Sequence, residues 1–188
     1  MNISSITNSN YYMGSNRAVR NAKNMISNGT LNTECVSSNI TLNFSGTEES
    51  GNALTAVGFP DGSSASVYKA DNYNQANPEY RVRYWDKEGN YTDTNVAINS
   101  VEPSNASYLE MLAYTTYSDV QGMTSNAYGN FLQAANGVNG DITYDSNSIN
   151  EKKDYISMVK EFMQLQYDCG NLVGYLSFKE FYDYMKKE

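Results

Sequence analysis

Histidine is absent from this 188-residue chain. With no imidazole there is no Ser-His-Asp or Cys-His nucleophile system, no HExxH zinc site and no Cys/His finger. The side chain best matched to proton transfer near neutral pH is missing as well. Cysteine is scarce. Cys35 and Cys169 stand far apart, in neither a CxxC nor a metal-ligand spacing. No stretch approaches the ~18 consecutive apolar residues of a membrane span. The first residues, MNISSITNSNYYMGSNRAVRNAKNMISNG, lack the apolar centre of a secretory leader. The expected location is therefore cytoplasmic, with export by a route that leaves no cleavable leader as the alternative. Positive charge is also short, 13 Lys and Arg against 21 Asp and Glu. That balance argues against a duplex DNA partner, because such binding rests on neutralising phosphates.

What the chain does have is tyrosine, 17 of them, and an uneven charge distribution. The first 33 residues contain Arg17, Arg20 and Lys23 and no acid. Residues 34–150 carry 4 basic and 14 acidic side chains, while the remainder is close to balanced. Residues 1–65 are rich in Ser, Asn, Thr and Gly, with apolar residues singly or in short pairs, too few to offset ordering entropy unaided. The boundary expected from composition separates this polar segment, docked or partly ordered, from a module spanning 66–188. Within the segment, Ala18, Val19, Ala22, Met25 and Ile26 fall at helical spacing, and Leu31–Phe44 alternates as a weak strand.

The module reads as strands first and helices second, the order of an α+β fold. SVYKA is a short strand, and residues 79–98 form a β-hairpin around the loop Lys87-Glu88-Gly89, with Gly89 left-handed. That loop sets Arg83 opposite Asp93. It aligns Tyr80, Val82 and Tyr84 with Val96, Thr94 and Thr92 on an inward face, leaving Arg81, Arg83 and Trp85 outside. Helices are expected at about 105–118, 124–136, 150–169 and 177–187. Their starts are placed at Ser107-x-x-Glu110 or Ser104, at Ser148-x-x-Glu151 and at Ser177-x-x-Glu180, and Gly170 closes the third. The expected architecture is a small antiparallel sheet, a hairpin or three strands, packed by about four helices.

Motifs with chemistry are few. There is no GxxxxGK[ST], and no GxGxxG lies between a strand and a helix. The acidic loop Asn139–Asn147 fails the EF-hand pattern: with Gly140 as the sixth residue, Ala135 and Ser146 occupy the first and twelfth positions. No acid spacing singles out a glycosidase pair. No catalytic residue, metal ligand or cofactor is assigned. Tyr108, Tyr155 and Tyr182 fall on helical apolar stripes and read as core. The candidate binding residues are Arg81, Arg83 and Trp85, whose types are those of interface hot spots. A cation–π-decorated strand face, or a face covered by the N-terminal segment, has the same composition.

Three blocks carry a resemblance: SVYKADNYNQANPEYRVRYWDKEGNY, VEPSNASYLEMLAYTTY and INEKKDYISMVKEFMQLQYDCGNLVGYLSFKEFYDYM. In order and spacing they resemble a family of small uncharacterised proteins from Gram-positive, gut-associated bacteria. The resemblance spans about two-thirds of the chain, residues 67–188. It implies a self-contained C-terminal module and no activity. The functional expectation is a non-catalytic interaction or structural module with a protein partner. The alternative is a carbohydrate-binding or glycan-active protein using Tyr/Trp platforms and acids.

Overall fold

A computed structural model describes residues 53–186. The expected helix near 18–26, the weak strand over 31–44, Cys35 and Lys187 lie outside the described residues. Four strands form one antiparallel sheet in the order β1 (Thr55–Gly58), β2 (Ser64–Lys69), β3 (Glu79–Trp85) and β4 (Tyr91–Ala97). Helices α1 (Tyr108–Val120), α2 (Ala127–Ala135), α3 (Tyr155–Asp168) and α4 (Leu172–Met185) follow. The class is α+β.

The β3–β4 hairpin has the register that its turn dictates. Arg83 pairs with Asp93, Val82 with Thr94 and Tyr80 with Val96. The Asp86 N–H donates to the Asn90 carbonyl at 2.9 Å, closing a loop in which Gly89 has φ 87°. Such a φ is open to glycine at little steric cost. Tyr80 and Val82 are fully buried, as the inward face requires.

The sheet is wider than expected, because β1 begins within the stretch read as polar. Two bonds explain its place. Tyr128 Oη on α2 donates to the Ala56 carbonyl at 2.8 Å, and Thr116 Oγ1 on α1 donates to Thr55 Oγ1 at 3.0 Å. TAVG is too short to show an alternating pattern, and these anchors come from residues far along the chain. The described fold thus begins N-terminal of the boundary expected at residue 66.

α1 crosses the inner face of β2 and β3, where Tyr117 meets the Tyr80 ring edge-on at 6.0 Å. Its start is the expected capping box, Ser107 with Glu110. α2 leans on α1, and its first N–H groups are capped from outside: Asp119 accepts from the Ala127 and Tyr128 amides at 2.7 and 2.9 Å. Beneath them Tyr108 contacts Phe131 and Tyr144 at 4.8 and 4.4 Å, and Phe131 contacts Tyr155 at 5.4 Å. Burial raises the Tyr144 hydroxyl to about pKa 12.

Two helix starts are corrections. Ser148 does not cap α3; its hydroxyl and amide bond Asp145 in a turn. Lys153 is held in a two-residue bridge with Ala106, so the backbone stays extended until Asp154, which caps Ser157 N at 3.0 Å. Ser177 does not start α4 either. Gly170 at φ 70° reverses the chain, and the Asn171 side chain accepts from Gly174 N at 3.1 Å. NLVGYL therefore forms the first turns of α4 rather than a connector. Its central glycine fits because a Cβ at Gly174 would stand 2.5 Å from the Asn171 and Gln166 side chains. Ser177 instead joins the buried Asn130, whose amide donates to its carbonyl and hydroxyl at 3.0 Å. No helix among the described residues is long and apolar enough to cross a membrane.

Candidate functional site

The outer face of the sheet is set by strand alternation and register. Three rows cross it: Leu54, Tyr68, Arg81 and Asn95; then Ala56, Ser66, Arg83 and Asp93; then Gly58, Ser64, Trp85 and Tyr91. All three expected site residues stand on this face, but they differ in what they offer. Arg83 is buried, only 7% exposed. Its Nε and Nη2 donate to the two carboxylate oxygens of Asp93, both at 2.7 Å. Its guanidinium also lies 4.2 Å from the Tyr91 ring centroid and 5.9 Å from that of Trp85. These hydrogen bonds hold the Asp93 carboxyl below the usual carboxylate range. Planar, two-pronged pairing of this kind is stronger than an ordinary hydrogen bond.

Arg81 stacks 5.2 Å over the Tyr68 ring. Trp85 is half-buried beside Tyr91, which is 58% exposed. Tyr91, Asp93 and Tyr68 were not singled out from sequence, although the hairpin register already places Tyr91 against Trp85 and Asp93 against Arg83. The Tyr68–Arg81 stack depends on the β2–β3 register, for which the sequence carries no turn signal.

A second surface was missed. At the α3–α4 corner Tyr167, Leu172 and Leu176 are 57–61% exposed and Val173 is 82% exposed. These are four of the eight exposed large hydrophobic residues among those described. The Tyr167 and Tyr175 rings meet at 5.5 Å between centroids, tilted by 59°. Helical spacing brings Leu172, Val173 and Leu176 together, which a loop would not do. In the acidic loop the Asp145 carboxylate accepts from the Asn147 and Ser148 amides. No group of three or more acids or cysteines able to hold a metal occurs among the described residues.

Comparison with known proteins returned no matching family model, no matching curated protein and no matching solved structure.

Proposed function

We propose that the chain is a non-catalytic interaction module that engages a protein partner through the α3–α4 corner. The observation that carries this reading is the cluster of Leu172, Val173 and Leu176, held outward on a capped helix beside Tyr167. Scattered exposed apolar residues are ordinary, but a contiguous group on a rigid turn is where association gains most. Apolar and aromatic anchors exclude water on contact. Arg83, by contrast, already has its partners within the sheet, so it serves as a brace.

The test compares the unmodified full chain with Leu172→Asp/Val173→Asp and with Arg83→Ala as baits in a lysate of the native host. A partner lost only with the Leu172→Asp/Val173→Asp bait supports the corner. Identical partner sets for all baits sink it.

A second reading, carbohydrate binding, rests on Tyr91 standing exposed beside Trp85 and Asp93. Trp85 is the single tryptophan, so its fluorescence reports directly on an oligosaccharide panel. No change in emission across the panel removes this reading.

A further inference from the structure

The two faces of the sheet are unequally accounted for. Helices gather on the inner face, where α1 lies over β2 and β3. No described helix crosses the outer face. Yet Tyr68 there is 4% exposed, Ser66 is buried, and Arg83 is buried although it projects away from the helices. Two polar atoms on this face, Tyr68 Oη and Arg81 Nε, are buried and have no hydrogen-bond partner among the described residues. A buried donor left unmatched is costly, so such atoms mark a place where a covering group belongs.

The point at which the described chain begins indicates what covers it. Leu54 N donates to the Val67 carbonyl at 2.8 Å, so the backbone reaches the sheet in the row of Tyr68 and Arg81. Four strands present a width of ~14 Å, which about five extended residues span. Residues 31–52 are LNTECVSSNITLNFSGTEESGN, with three acids and no base. Within them Ile40, Leu42 and Phe44 alternate with Thr41 and Asn43. One side of such a segment is apolar and suits the rings of Tyr68 and Trp85. Its carboxylates and carbonyls are of the acceptor type that Arg81 Nε and Tyr68 Oη lack.

We propose that residues 31–52 of this same chain dock across the outer face of the sheet, over Tyr68, Arg81 and Trp85. This surface is separate from the α3–α4 corner, so either proposal can fail without the other; it includes Trp85, so docking there and carbohydrate binding beside Trp85 exclude each other. The face would then be an internal interface, closed by the chain's own acidic, alternating segment.

Trp85 is the reporter. In the full-length chain, Ile40→Asp/Leu42→Asp/Phe44→Asp is expected to shift Trp85 emission to the red. Acrylamide quenching should rise at least about twofold, the gain in access expected when a ring passes from half-buried to open. Equal quenching in variant and unmodified protein overturns the proposal. Shielding that grows with protein concentration also overturns it, because a second copy then covers the face. Should the variant fail to fold, nuclear Overhauser contacts in the unmodified chain decide. Cross-peaks from Ile40 or Leu42 methyls to the Tyr68 or Trp85 rings are expected, and their absence overturns the docking.

Discussion

The outer sheet face and the α3–α4 corner carry the most suggestive side chains of the described fold, and they are opposites. Arg83 on the sheet face has the residue type of a binding hot spot, yet it is buried and doubly bonded to Asp93. Val173 at the corner belongs to a type usually read as core, yet most of its surface meets solvent. Residue type alone does not show this difference between the two surfaces. What separates them is whether the group's interactions are already satisfied within the fold. A charged group that has its partner loses that partner on engaging another, whereas an exposed apolar group loses only water.

The largest effect removes what both surfaces rest on. Phe131 is fully buried against Tyr108 and Tyr155. Phe131→Ala should cost ~3–5 kcal/mol in urea unfolding, the usual cost of emptying an aromatic core site. Both surfaces should fail together. A variant that lost stability and kept partner capture at full strength would show that the corner does not depend on this core.

Next comes Arg83→Ala, which breaks the brace. Losing a hydrogen-bonded charge at a buried site should cost ~1.5–3 kcal/mol in the same assay. Partner capture through the corner should stay as it is. Unchanged stability with lost capture would reverse the contrast and return Arg83 to the role its composition suggested.

The brace also has a pH signature. Arg83 holds the Asp93 carboxyl below its ordinary range, so the folded-state pKa lies under the unfolded value of about 3.9. A depressed carboxylate pKa contributes stability that is full above the unfolded value and is lost as pH falls through the folded one. The stability advantage of the unmodified chain over Asp93→Asn should therefore be constant from pH 7 to 5 and shrink below about pH 4. An advantage that is the same at pH 3 as at pH 7 would mean that the ionised pair does not stabilise the sheet.

The same contrast governs how much was legible in the sequence. The hairpin could be read because its determinants are local: a three-residue loop, a glycine at φ 87° and an alternating run fix every pairing from Tyr80–Val96 to Tyr84–Thr92. The Ser107–Glu110 capping box was equally local. What escaped depends on distant partners. β1 is held by Thr116 and Tyr128, α2 is capped by Asp119, and the α3 start is delayed by the Ala106–Lys153 bridge. Ser148 and Ser177 had the spacing of caps but found nearer or better partners in Asp145 and Asn130. The α3–α4 corner was hidden for that reason. With Ser177 taken as the helix start, Leu172, Val173 and Leu176 belonged to a connector and shared no face.

The smallest effect on stability is the one that bears most directly on the corner. Leu172→Asp/Val173→Asp changes two side chains that contribute little to the interior, each more than half exposed. Neither removes the Asn171 cap, whose contact is to Gly174 N. Unfolding free energy should therefore stay within about 0.5 kcal/mol of the unmodified chain, the range of ordinary surface substitutions. Placing acids in the first turn of α4 also suits the positive end of its dipole, so any shift should be towards stability. A loss of ~2 kcal/mol or more would be the cost of disturbing packed side chains rather than a water-facing surface. That result would mean the corner is covered in solution, by a second copy or by another part of the chain. Sedimentation across a concentration series separates the two: a mass that rises with concentration and is constant in the variant identifies self-association, and an unchanging monomer identifies cover from within.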